Sequence, residues 1–251
     1  MIADHLCLIL DWDSGFFGRK IAQVAVNTLN VAQMEQIMTW CSIQKIDCLY
    51  FLSEADHAES VRLAEDNGFR LVDIRITLEK KLQDVQTVQG QDPRYAVRMC
   101  RREDAPALRA IAKTSYHDSR FYYDSKFPRH LCDSLYETWI EKSCEGYADA
   151  VLVTEFERQP KGYISCHLLG EQKGKIGLIG VAADSQGKGL GHVLIRESLR
   201  WFSQHGVEQV TVVTQGRNFT AQRLYEEFGF LTKSVQLWYH RWFDSKEYSG
   251  L

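Results

Sequence analysis

Residues 177–191 read GLIGVAADSQGKGLG and run directly into HVLIRESLRWFSQH over residues 192–205. An apolar run that reads as a buried strand stops at a polar turn and passes through Gln186, Gly187, Lys188, Gly189, Leu190 and Gly191. It then enters a stretch whose apolar residues recur at helical spacing. The order is strand, glycine-rich loop, helix start. A helix N-terminus exposes backbone N–H groups that lack intrahelical partners, and the aligned peptide dipoles leave partial positive charge there. Such an end binds anions, phosphates above all, when the backbone can come close. Glycine at 187, 189 and 191 removes side chains from that approach and permits positive φ. Gln186 adds an amide donor and Lys188 a mobile cation. The predicted ligand is a pyrophosphate.

Two common phosphate patterns are excluded by spacing. The alternation of Gly187, Gly189 and Gly191 is not GxGxxG, and no GxxxxGK followed by Ser or Thr is present. What remains is Gln186-x-x-Gly189-x-Gly191. Downstream, VEQVTVVTQ (207–215) is a β-branched strand, and NFTAQRLYEEFGF (218–230) reads as a short helix capped by Asn218 and ended by Gly229. This pair of motifs resembles the acetyl-CoA site of the Gcn5-related N-acetyltransferases, the GNAT superfamily. The resemblance implies that the Gln186 to Gly191 loop binds the pyrophosphate of acetyl-CoA, the cosubstrate. It implies that Ile179, Gly180 and Val181 line the pantetheine arm, that Asn218 hydrogen-bonds the cofactor besides capping its helix, and that Tyr225 lies near the sulfur. Read by residue type only, Tyr225 is half-buried packing on an amphipathic helix and Lys188 a solvated loop lysine.

Composition bounds the rest. The 251 residues exceed a typical domain, and 45% hydrophobic with 25% charged residues can bury a full core. A net charge of -3 gives no basic footprint for nucleic acid or an anionic membrane. No apolar run of membrane-spanning length and no leader pattern appear, so a soluble, cytoplasmic protein is expected. Seven dispersed cysteines without a CxxC read as buried free thiols, with no metal site.

The polar stretch from Lys80 to Tyr95, with Gly90 and Pro93, divides the chain. The expected organisation is an N-terminal α/β domain over 1–82, a linker over 83–94, and an acetyltransferase domain over 95–251. The fold class is α/β: a GNAT fold with a mixed, mostly antiparallel sheet flanked by helices, preceded by a smaller partial GNAT-like domain. A shift of 161 positions sets DCLYFL (47–52) on EQVTVV (208–213) and Asn67-Gly68-Phe69 on Phe228-Gly229-Phe230. The first domain thus reads as a partial copy, with His57 at the Asn218 position, Ala64 at the Tyr225 position, and no counterpart of QGKGLG. A generic strand-helix-strand unit is the competing explanation.

Two aromatic islands bear on the acceptor. Residues 11–18 (DWDSGFFG) lie between two predicted strands, and residues 117–127 (HDSRFYYDSKF) set aromatics around Arg120. Aromatic rings stack on bases and sugar faces, and arginine grips phosphate with two donors. Trp12 to Gly18, Ser119 to Phe121 and Tyr136 to Ile140 also resemble elements of the TDP-fucosamine acetyltransferase family and related enzymes acting on dTDP-linked 4-amino-sugars. That resemblance implies an acetyl-CoA-dependent N-acetyltransferase whose partner is a nucleotide-linked amino-sugar, contacted by Arg120, Phe121, Phe16 and Phe17. It implies direct attack in a ternary complex, with Tyr225 as general acid and no base assigned among His117, His167 and Glu155. Protein or peptide N-acetylation and a non-catalytic acyl-CoA-binding regulator are the alternatives; a homodimer is compatible with the sequence.

Overall fold

The computed structural model describes residues 5–82 and 95–244. The linker expected at 83–94 lies outside the described residues. The first half of the chain contributes β1 (Cys7–Ile9), α1 (Asp11–Phe17), β2 (Ile21–Val24), α2 (Val31–Gln44), β3 (Cys48–Glu54), α3 (Ala58–Asp66) and β4 (Arg70–Lys81). The second contributes β5 (Ala96–Met99), α4 (Ala105–Ser115), α5 (Arg120–Tyr123), α6 (Arg129–Lys142), β6 (Ala150–Phe156), β7 (Gln159–Leu168), β8 (Lys173–Val181), α7 (Leu190–Gln204), β9 (Gln209–Gln215), α8 (Phe219–Glu227) and β10 (Leu231–Trp242).

Where composition suggests a single cut, the compact units interleave. The first unit runs up to Arg75 and adds Ser119–Phe127 and the chain from Val235 on; the second comprises Ile76–Asp118 and Pro128–Ser234. The cause is an exchange of strands. In the first unit the sheet order is β1-β2-β3-β10, closed by antiparallel pairing of Gln236–Trp242 with Cys48–Glu54. In the second it is β4-β9-β8-β7-β6-β5, with β8 and β9 the parallel pair among antiparallel hairpins.

The first unit buries one face of its sheet, Leu49 and Phe51 of β3 with Tyr239 of β10, against Met34, Ile37 and Trp40 of α2 and Ala64 of α3. Side chains alternate across a strand, so the other face carries Cys48, Tyr50, Leu52 and Glu54 of β3 and their register partners Trp242, His240, Trp238 and Gln236 of β10. The second unit buries Leu194, Ile195, Leu199 and Phe202 of α7 against Ile164, Ile176, Val210 and Val212.

Two sequence expectations change. Residues 11–17, expected only as an aromatic segment between two strands, form α1, because Trp12 and Phe16 fall one helical turn apart and Ser14 Oγ donates to Leu10 O at 2.7 Å. Gly18 ends the helix at φ 62°. Five cysteines are buried free thiols, but Cys100 and Cys144 are half-exposed, with their sulfurs 3.4 Å apart.

Candidate active site

β8 and β9 stay paired only from Lys173↔Gln209 to Ile176↔Val212. Beyond that point β8 continues alongside β7, across a register shift between Ile164 and Cys166 where Ser165 Oγ accepts the Leu178 N–H at 2.8 Å. Ala182 N–H donates to Lys161 O of the β7 side, and backbone groups alternate along an antiparallel ladder. The N–H and C=O groups of Ile179 and Val181 therefore point away from β7, into the gap the bulge opens. The carbonyls confirm that direction: Ile179 O accepts from Tyr116 Oη at 3.0 Å and Val181 O from Gln186 Nε2 at 3.3 Å. Gly180 has a different duty. A Cβ there would lie 2.9 Å from the Tyr163 ring.

The loop that follows leads into α7 through Gly189 at φ 88°. No side chain caps this helix, so its first N–H groups face outward. The three glycines divide their tasks: Gly187 and Gly189 have positive φ with open space around them, whereas a Cβ on Gly191 would lie 3.2 Å from Leu224. Backbone conformation, more than steric clearance, fixes the first two. Tyr95 Oη donates to Lys188 O at 2.6 Å, and Lys188 Nζ lies 5.2 Å from the Phe156 ring centre. Leu190 is 1% exposed, so only its backbone can meet a ligand. A gap in the ladder, an uncapped helix start and a positive-φ glycine loop fit an extended phosphate-bearing cosubstrate.

Asn218 caps α8, its Oδ1 accepting the Ala221 N–H at 3.0 Å. About two helical turns on, Tyr225 is 2% exposed and packs on Phe230. Burial raises its pKa above the ordinary tyrosine value, so its hydroxyl keeps its proton at neutral pH. Sequence reading missed the tyrosines beside it. Tyr116, at the end of α4, places its hydroxyl 2.9 Å from that of Tyr163, and its ring stacks on Tyr136 at 4.3 Å. Burial, then the Tyr163 phenol, holds the Tyr116 proton in place, and Tyr225 adds to the effect. Tyr116 and Tyr163, from distant points in the sequence, thus flank the end of β8, with Tyr225 close enough to act on Tyr116; nothing local marks Tyr116 or Tyr163. Glu155 is unsuited as a base, since Arg98 Nε donates to it at 2.8 Å.

In the first unit, Arg120 opens α5 with its guanidinium 4.1 Å from the Tyr50 ring centre, 4.2 Å from Trp238 and 4.4 Å from Phe121. Its Nη1 donates to His240 Nε2 at 2.8 Å. His240 Nδ1 donates to Asp124 Oδ2 at 2.7 Å, as does Trp242 Nε1. Burial above all pushes the His240 pKa down to about 4, with Arg120 adding to it and Asp124 opposing, so the ring is neutral and accepts from Arg120. The Tyr50 hydroxyl is buried without a hydrogen-bond partner, a state that costs about 1–3 kcal/mol. Phe17 and Phe121 are 6% and 3% exposed and pack on Phe127 at 4.5 and 5.5 Å. Phe16 is half-buried, stacked on the exposed Trp12 at 5.0 Å.

Residues 108–230 match the Acetyltransferase (GNAT) family, and with the relatives below this marks the chain as an acetyl-transferring enzyme that uses acetyl-CoA. Among curated relatives, dTDP-fucosamine acetyltransferase of Escherichia coli O6:H1 is 24% identical over 92% of this chain and 96% of its own length. Mycothiol acetyltransferase of Saccharomonospora viridis is 26% identical over 92% of this chain and 77% of its own. A solved GCN5-related N-acetyltransferase from Sphaerobacter thermophilus shares the fold with a TM-score of 0.69 at 16% identity, over 94% and 76% of the two chains. Among the described residues no helix is long and apolar enough to cross a membrane.

Proposed function

We propose that this enzyme acetylates the amine of a nucleotide-linked amino-sugar of the dTDP-4-amino-6-deoxyhexose type. The observation that carries the reading is the reach of one similarity: the dTDP-fucosamine acetyltransferase relative matches along 92% of this chain and 96% of its own, well beyond the shared cosubstrate half. The division of labour supports it. The second unit supplies the donor features, and the first carries a half-buried arginine framed by aromatic rings.

Acetyl-CoA, when bound, supplies an acetyl group activated as a thioester. The Ile179 and Val181 N–H groups serve its amide arm, Gly187 to Gly191 and the Gln186 amide its diphosphate, and the Asn218 Nδ2 a further oxygen. Tyr225 holds a proton on its hydroxyl for the sulfur that must leave, a general acid's task. In the first unit Arg120 serves the acceptor's phosphate and Phe16, with Trp12, its base; Phe17 and Phe121 shape that surface from beneath. Persistence of free thiols suits a cytoplasmic enzyme.

The similarity to the mycothiol acetyltransferase, over an equal share of the chain, favours a second reading in which the acceptor amine belongs to mycothiol chemistry. A coenzyme A release assay decides, with acetyl-CoA offered against dTDP- and UDP-linked amino-sugars, a mycothiol-pathway amine and N-terminal peptides. Turnover with a nucleotide-linked amino-sugar is expected. Turnover confined to either other set overturns the proposal.

A further inference from the structure

The face of the first unit's sheet that bears Gln236, Trp238 and His240 carries a second arginine. Arg75 of β4 donates from Nη1 to Gln236 Oε1 at 3.2 Å, while Arg120 lies over Trp238 and bonds His240. Positions 236, 238 and 240 alternate onto one side of β10, so the two guanidinium groups sit over neighbouring side chains of one face. Both residues are half-buried, which leaves part of each in reach of a ligand.

Neither arginine forms an ion pair among the described residues. Gln236, through Nε2, donates to Glu54 Oε1 at 2.8 Å, so an amide stands between Arg75 and its nearest carboxylate. Arg120 spends one donor on a neutral imidazole and stacks its faces on rings, and stacking leaves the rest of its in-plane donors unspent. Glu54 acts on Arg75, and Arg120 acts on Asp13 and, across the His240 ring, faces Asp124. Arg75 is disfavoured as a cation by burial and then by Arg120, with Glu54 opposing. The buried Tyr50 hydroxyl beneath the Arg120 guanidinium lacks an acceptor. Two forked cations side by side, unpaired and partly desolvated, form a receptor for an anion with two charged centres.

We propose that Arg75 and Arg120 are the paired cations of a diphosphate subsite for the acceptor nucleotide, with Trp238 and Gln236 as its floor. This deepens the amino-sugar reading and rests on it. Two guanidinium groups, from β4 and α5, held over neighbouring side chains of β10 suit adjacent phosphoryl groups, which selects a nucleoside diphosphate over a monophosphate or a free sugar.

The test uses the full chain saturated with coenzyme A, so that the α7 loop is filled, and follows Trp fluorescence during titration with inorganic pyrophosphate. Saturable binding is expected, weakening as salt rises. Arg75→Gln and Arg120→Lys should each weaken it by about tenfold, with Arg75→Lys recovering part of the loss. Thermal melts verify that each variant folds; Arg75, on a half-exposed strand position, tolerates substitution best. No binding, or equal binding by Arg75→Gln, overturns the subsite. Kinetics separate this from the broader reading: pyrophosphate binding that depends on both arginines, without turnover of any nucleotide-linked amino-sugar, supports the subsite and rejects the substrate class. Turnover with a KM that ignores Arg75→Gln does the reverse.

Discussion

Two stretches of this chain carry the same elements at a fixed offset and differ at the starts of the helices beside them. β3, α3 and β4 begin and end 161 residues before β9, α8 and β10: Cys48 corresponds to Gln209, Ala58 to Phe219 and Lys81 to Trp242. The caps correspond too, since His57 Nδ1 accepts the Ser60 N–H at 3.2 Å as Asn218 Oδ1 accepts that of Ala221. Gly68 and Gly229 end the two helices at φ 75° and 73°, and the N–H groups of Phe69 and Phe230 return to Ala64 O and Tyr225 O. The parallel extends upstream, where β2 pairs parallel to β3 as β8 does to β9. The helix starts then diverge. Asn30 and Gln33 close the N-terminus of α2 with a reciprocal capping box, whereas α7 begins at Gly189 with no side-chain cap. The two strand-helix-strand frames therefore differ in two places, an open helix start at Gly189 and a tyrosine, Tyr225, at the position that matches Ala64.

Substitutions at matched positions can break that comparison. The largest effect is expected for Tyr225→Phe, which should lower kcat by about 10²–10⁴ while calorimetry shows unchanged acetyl-CoA affinity. An unaltered kcat removes Tyr225 from proton transfer. Next comes Gly189→Val. A branched residue at φ 88° is strained, and the variant should raise the KM for acetyl-CoA by about tenfold or more through the loss of roughly 1–3 kcal/mol. Asn30→Ala, at the corresponding helix start, should cost about 1 kcal/mol in urea unfolding and leave that KM alone.

His240 offers a pH test confined to the first unit. Its folded pKa, about 4, lies below the ordinary histidine value of 6.5, so the unfolded chain takes up the proton first as pH falls. Stability is full above pH 6.5 and declines toward pH 4, by about 3 kcal/mol at most, as order-of-magnitude linkage. Urea midpoints at pH 7 and 4.5 should differ in the wild type and converge in His240→Gln. The smallest effect is expected for His57→Ala against Asn218→Ala. Each removes a cap worth about 1 kcal/mol, but only the second should also weaken acetyl-CoA binding.

The sequence discloses the glycine loop and the Asn218 cap well because both are backbone features. Positive φ at Gly187 and Gly189, an open helix start and a cap at Asn218 all follow from residue types at fixed offsets. The matching element bounds at an offset of 161 are legible for a similar reason, through helix-ending Gly68 and Gly229. Other features depend on contacts between distant residues. Tyr116, Tyr163 and Tyr225 meet only through the packing of α4, β7 and α8. The Arg75 and Arg120 pairing depends on which strand β10 joins, and the interleaving of the units has the same origin. The helix at residues 11–17 does not show in the sequence because the aromatic and glycine content of DWDSGFFG masks a helix of only seven residues.

With two similar frames but a single uncapped glycine loop ahead of α7, the chain is expected to hold a single acetyl-CoA site. Isothermal titration of the full chain with acetyl-CoA measures this directly. The prediction is one site per chain, weakened by Gly189→Val and untouched by Asn30→Ala; two equivalent sites, or a single site that Asn30→Ala weakens and Gly189→Val spares, would contradict it.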